Sequence, residues 1–283
     1  MLALALTARA VAADVGDEED RALTTLVAEQ VRALNARDAK AFAATFYQDG
    51  FAILPGAGDE ARGTAAIAAL AKRWLAGVGN ASFKLDKPHY GSRWYAGELV
   101  LTSGSRLRVT GVLRANPTEG GPLVYNIGAI HISEPADDRA VLAAAAAGKL
   151  PVLPRLAGAE VGAREDTPDR IATFADRITD DPAAVVVGAA AAEHAIGKAA
   201  VSKLLAGWRT LKLSSGERIR YDDGNRMLLG WYVGHTEATV KSGGKTVKVP
   251  YRVLCLVMQP WAVARDQSAT ATLLAAHLSV ALH

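Results

Sequence analysis

The feature that most constrains this chain is that its second half restates its first. "GTAAIAALAKRW" at 63–74 returns as "GKAAVSKLLAGW" at 197–208, so Gly63 matches Gly197 and Trp74 matches Trp208, each 134 residues apart. The order then holds. "WYAG" at 94–97 answers "WYVG" at 231–234 at a separation of 137, Arg108-Val109 answers Arg252-Val253 at 144, and His131 and Ser133 answer His277 and Ser279 at 146. A separation that only grows marks small loop insertions between two copies of one unit. A chain of 283 residues accommodates two such domains, each able to bury a core. The expected division is a leader at 1–19, a first domain at 20–135, a linker or distorted first helix at 136–164 and a second domain at 165–283.

Within the first copy, Leu23, Leu26, Val27, Val31 and Leu34 recur at helical spacing, with acidic residues 17–20 favouring the helix N-terminus. Asp38 is an N-cap for a short second helix, on which Phe42 and Phe46 stand one turn apart. Asp49-Gly50 turns the chain into a strand, "FAILP", and Thr64 caps a third helix with Ile67, Leu70 and Trp74 as its apolar stripe. Strands follow at about 82–88, 93–102, 105–115 and 123–133. The second copy is expected to repeat this order, with a short helix near 168–178, the strand "AAVVVG", a helix from 198 and strands to the end. The C-terminal "AAHLSVALH" occupies the place of "GAIHIS", whose apolar and polar residues alternate, so the tail reads as a strand. Helices followed by a run of strands give an α+β architecture with the helices on one face of an antiparallel sheet.

The Gly-x-x-Ala-Ile that opens the third helix (Gly63 to Ile67, Gly197 to Val201), "RVTGVLR" at 108–114 and the closing His-x-Ser carry a resemblance. Each half resembles an NTF2-like domain of the SnoaL-like and DUF4440-type branch, which includes ketosteroid isomerases and polyketide cyclases. The resemblance implies two cystatin-like cones, each with about three N-terminal helices on a curved antiparallel sheet and a pocket between. It also implies association through the outer sheet face, so that the two copies would form an intrachain pseudo-dimer. The acidic base and Tyr/Asp oxyanion hole of ketosteroid isomerases do not map onto this chain residue by residue.

Candidate groups follow from strand alternation. Trp94 and Glu98 share one face of their strand, and Trp231, His235 and Glu237 share one face of its copy. Glu98, His235 and Glu237 are therefore the candidate proton-transfer groups, against the simpler reading of a solvated or inter-repeat face. Phe42, Phe46, Tyr47, Trp94 and Tyr95, with Trp231 and Tyr232, are candidate ligand contacts; Trp74 and Trp208 extend helical stripes and read as core. His131/Ser133 and His277/Ser279 read as structural groups of a sheet interface, because no Asp or Glu flanks either imidazole.

"GAGDEA" at 56–61 matches a dinucleotide fingerprint, but Asp59 and Glu60 stand where a pyrophosphate needs bare amides, so no cofactor is expected. None of the six histidines makes H-x-H or H-x-x-x-H, and no metal is expected. The 32 basic and 29 acidic residues are scattered, which argues against nucleic-acid binding; Lys241, Lys245, Lys248 and Arg252 read as a solvated hairpin turning at Gly243-Gly244. Cys255 is expected buried and inert. No apolar run reaches membrane-spanning length. The Ala- and Leu-rich start fits either an export signal or a frayed N-terminus, which leaves cytoplasm and periplasm both open. Two functions remain: a non-catalytic protein binding a small apolar or amphipathic molecule or a protein partner, and an isomerase, cyclase or hydratase acting on a carbonyl-bearing ring.

Overall fold

The computed structural model describes residues 2–56, 59–91, 93–116, 124–153, 178, 180, 182, 184–190, 192–207, 212–222, 227–242, 244–260 and 272–280, with backbone alone at 2–17, 212–222, 227–229, 242 and 259–260. The short helix expected near 168–178 lies outside them, apart from Ile178, and so does Trp208.

The first half contributes α1 (Leu2–Asn35), α2 (Ala39–Ala44), β1 (Phe46–Ile53), β2 (Glu60–Arg62), α3 (Thr64–Val78), β3 (Phe83–Tyr90), β4 (Trp94–Leu101), β5 (Arg106–Asn116) and β6 (Val124–Ser133). After α4 (Asp138–Ala146) come β7 (Val185–Val187), β8 (His194–Ile196), α5 (Lys198–Gly207), β9 (Lys212–Asp222), β10 (Met227–Ser242), β11 (Lys245–Pro260) and β12 (Thr272–Val280). The strands form two sheets of identical order, β2-β1-β6-β5-β4-β3 and β8-β7-β12-β11-β10-β9. The tail is indeed a strand, β12, set antiparallel to β11 and parallel to β7.

The sheets are mixed rather than antiparallel throughout. β1 runs parallel to β6 and β7 runs parallel to β12, because the chain crosses over three intervening strands before it pairs with the first. Register confirms the repeat residue by residue. Ile53 pairs with His131 and Glu60, as Val187 pairs with His277 and His194; Glu98 pairs with Arg108 as His235 pairs with Arg252. The same bulge recurs, at Val112/Leu113 and at Leu256/Val257. Gly63 and Gly197 take φ of 81° and 80°, and each donates its N–H to the strand before it, to Gly50 O and Ala184 O.

Several local expectations need correction. Residues 2–35 form one helix, so the acidic residues 17–20 lie along it rather than at its start. Glu19 is instead buried in an ion pair with Arg93. Phe46 opens β1 instead of extending α2, and its ring meets that of Phe42 edge-on at 5.3 Å. Asp49-Gly50 lies inside β1, where the pairing with β6 shifts register between Phe46 and Phe51. Gly63, not Thr64, is the N-cap of α3.

On one face of the first sheet, Tyr95, Leu99, Val109 and Ile130 pack against Leu23, Val27 and Leu34 of α1 and Ile67 and Leu70 of α3. The alternate residues of the same strands, Trp94, Ala96, Val112 and Ala129, pack against Trp231, Val233, Leu254 and Leu256 of the second sheet. Both faces are therefore buried, one by helices and the other by its copy. The seven-residue growth of separation between Trp94/Trp231 and Arg108/Arg252 lengthens the β10–β11 hairpin, whose Val240, Val249 and Tyr251 cover Val141 and Leu142 of α4.

Candidate functional site

Three places concentrate polar chemistry: the interior of the first cone, a groove outside it and the seam between the sheets. The interior is closed by its own side chains. A cavity of about 10 Å³ remains among Val27, Gln30, Leu34, Phe42, Tyr95 and Ile130, room for about one water. Its polar atoms satisfy one another. The Tyr95 hydroxyl donates to Gln30 Oε1 at 2.8 Å, Gln30 Nε2 donates to Thr45 Oγ1 at 3.2 Å, and the Thr45 hydroxyl donates to Phe42 O at 2.8 Å. Burial pushes the Tyr95 phenol far above its ordinary range, so it is neutral and acts only as a hydrogen-bonding group.

The groove lies where α1, α2 and the start of β6 meet and encloses about 520 Å³. Leu26, Ala33 and Ala44 supply apolar lining, and Glu29, Arg32 and Asp38 are its charged groups. Asp38 also caps α2, accepting from Lys40 N and Ala41 N.

The seam carries the most organised polar set. His131 Nε2 lies 2.7 Å from Ser279 Oγ and His277 Nε2 lies 2.8 Å from Ser133 Oγ, while the two imidazoles stack with centroids 3.8 Å apart. Burial holds both histidines well below the usual imidazole range, helped at His131 by His277 and Arg252 and at His277 by Arg108 and Arg252. Arg252 Nη1 donates to Leu54 O and Gly56 O at 2.9 and 2.8 Å, and Arg108 Nη1 donates to Gly188 O at 2.6 Å. His235 Nε2 meets Glu60 Oε1 at 2.8 Å, with both side chains buried.

The candidate residues divide among these places. Phe42, Phe46 and Tyr95 belong to the first cone, and Tyr232 to the core of the second with Cys255, whose thiol burial pushes up to about 12. Trp94 and Trp231 are corrected from cone lining to seam: alternation turns them away from the helices. Tyr47 sits outside the cone beneath the Arg114 guanidinium, 3.5 Å from its ring centroid. Glu98 is partly exposed and pairs with Arg106 at 2.5 Å; Glu237 is partly exposed and pairs with Lys248 at 2.8 Å; His235 is in the seam. The three proton-transfer candidates therefore share no pocket. Gln30 and Glu60 were not singled out from sequence. A lone amide on the apolar stripe of Leu23, Val27 and Leu34 marks the first, and the repeat register, which sets Glu60 against His194, marks the second.

Among the described residues, no group of three or more His, Cys, Asp or Glu is placed to hold a metal, and no helix is long and apolar enough to cross a membrane.

No family model matches the chain, and no curated protein matches it. Solved structures do. A SnoaL-like protein of Burkholderia thailandensis is 13% identical, covering 40% of this chain and 94% of its own, with a TM-score of 0.33. An NTF2-like protein with a cystatin-like fold from Novosphingobium aromaticivorans is 19% identical, covering 50% and 93%, at 0.34. An epoxide hydrolase/cyclase-like enzyme of pyran ring formation in salinomycin is 19% identical, covering 42% and 93%, at 0.29. Each half of the chain has a six-stranded mixed sheet of the same order with helical packing on one face, and the chain carries this arrangement twice in tandem.

Proposed function

We infer that this protein is a non-catalytic binding protein, an intrachain pseudo-dimer of two NTF2-like domains that takes a small amphipathic molecule. The observation that carries the non-catalytic part is the interior of the first cone, where Tyr95, Gln30 and Thr45 satisfy one another and, among the described residues, no carboxylate or imidazole joins them. Proton abstraction next to a carbonyl needs a base within hydrogen-bond reach of the substrate carbon's proton, in a site with room for the ring. Glu98, His235 and Glu237 are each engaged elsewhere.

The groove beside α1 and α2 supports the binding part. Its volume of about 520 Å³ falls in the range of small-molecule sites, and apolar lining beside Arg32 and Glu29 suits a ligand with one polar end. The test is titration with an amphipathic fluorescent probe, anilinonaphthalene sulfonate, into the wild type and Ala41→Trp. Ala41 lines the groove and is exposed, so the indole fills it without disturbing the core. Binding to the wild type and at least tenfold weaker binding to the variant is the expected result; equal binding removes the groove from consideration. Turnover of a ring ketone that Glu98→Gln, His235→Gln or Glu237→Gln abolishes would replace this reading with an isomerase, cyclase or hydratase.

A further inference from the structure

Among the described residues, every buried histidine sits in the seam. His131 and His277 are fully enclosed there and His235 nearly so, whereas His89 is half-buried on β3 and His194 is exposed on β8. The cones carry titratable groups of another kind. Tyr95 in the first and Tyr232 and Cys255 in the second are pushed upward by burial, so acid leaves them neutral as before. Glu19, the buried carboxylate of α1, is paired with Arg93. A proton concentration that charges imidazoles but not carboxylates therefore acts on the buried groups of the seam and spares those of the cones.

The stacked pair has no acid to balance a charge. The rings lie 3.8 Å apart at 15°, each Nε2 on a serine of the other repeat. The charged groups that face them are basic: Arg252 of β11 at His131, and Arg108 of β5, Arg252 and His194 of β8 at His277. The carboxylates stand one place farther out. Asp59 and Glu60 act on Arg252, and Glu60 is bonded to His235 of β10. Glu98 of β4 and Glu193 act on Arg108; Glu98 is bonded to Arg106, which also meets Asp86 of β3, and Glu193 accepts from Ala190 N. Burial disfavours the charged form of both rings most, the cations add to it, and the backbone of the opposite histidine is the smaller, opposing influence. A proton on either ring thus places an unbalanced charge in a dry interface. The two rings belong to different repeats, so parting the sheets hydrates both at once while the strand pairing and the helix-covered faces stay as they are.

We propose that the His131–His277 stack is an acid-operated latch: in mild acid the two imidazoles take up protons and the repeats part along the seam while each cone stays folded. Parting uncovers Trp94, Val112 and Ala129 of the first sheet and Trp231, Leu254 and Leu256 of the second, an apolar surface that is shut away at neutral pH. Once apart, both rings titrate near their ordinary value of about 6.5, so the opening equilibrium constant rises by up to about 100-fold per pH unit below it, two protons being bound, and is constant above it.

The test reads seam and cone separately in the full chain, by labelling thiols with dithiodipyridine and dividing each rate by that of the urea-unfolded chain at the same pH. Cys255, buried in the second cone, reports the cone. Ala96→Cys, at a fully buried seam position, reports the seam, and Ala275→Cys gives the same report from the second sheet. Between about pH 6.5 and 4.5 the seam thiol is expected to gain up to about 100-fold in relative rate per unit while Cys255 keeps its protection. His131→Gln with His277→Gln, which keeps a polar group for each serine, should flatten that slope, and either change alone should leave about tenfold per unit. A seam rate that does not respond to pH, one that rises in step with Cys255 because the chain unfolds as a whole, or a slope that survives the double replacement overturns the proposal. If the double variant does not fold, the single variants and the comparison of the two thiols decide the matter in the same way.

Discussion

His131 and His277 are the residues whose surroundings most change their chemistry. Both are fully buried and held neutral, His131 by burial, by His277 and by Arg252, and His277 by burial, Arg108 and Arg252. The unfolded chain binds protons at both once pH falls below about 6.5, and the folded chain does not, so stability is full above that pH and is lost as pH falls through it. The slope expected for two such histidines is about 2.7 kcal/mol per pH unit, and His131→Gln should halve it; urea midpoints between pH 7.5 and 5 measure this. Gln30 is the other residue with a defined effect. Replacing it by leucine strands the Tyr95 hydroxyl and removes the donor to Thr45, at a cost of about 1–3 kcal/mol, read by chemical unfolding. Neither residue's role shows in its neighbours along the chain. His131 and Ser279 are 148 residues apart, and only the repeat brings their pairing within sight.

At the scale of elements, the entry to α3 and α5 is set by glycine. Gly63 holds φ 81° and ψ 149°, a region essentially closed to other residues, and Gly197 holds φ 80°. Alanine at either position should cost about 1–3 kcal/mol, and thermal melts of the two single variants should shift alike, since both make the same bond back to the preceding strand. Helix α1 depends on the ion pair of Glu19 with Arg93 near one end of its packed stretch, and on Asn35 bonded to both N and O of Phe83 at the other. Helix spacing revealed that stripe, but not where the helix begins, because an Ala- and Leu-rich segment propagates a helix without need of a cap. Phe46 shows the opposite failure. Its spacing from Phe42 is helical, yet Asp38 caps a helix of only six residues, and the strand pairing of β1 takes over.

For the whole molecule, the seam decides how the halves behave. Trp94 and Trp231 are each almost wholly buried there, and a Cβ on Gly128 would come within 2.8 Å of the Trp231 ring. Trp231→Ala should cost about 3–5 kcal/mol, and the wild type should unfold in one calorimetric transition that this variant splits into two. The sequence by itself determined that the chain is two copies of one α+β unit, which residues match between copies, and that the tail is a strand. Only the tertiary structure decided which face of each sheet looks into the cone and which into the seam. The reason is physical: alternation distinguishes a buried face from a wet one, and here helices bury one face while the other sheet buries its reverse, so Trp94 and Tyr95 carry equal apolar weight and point in opposite directions.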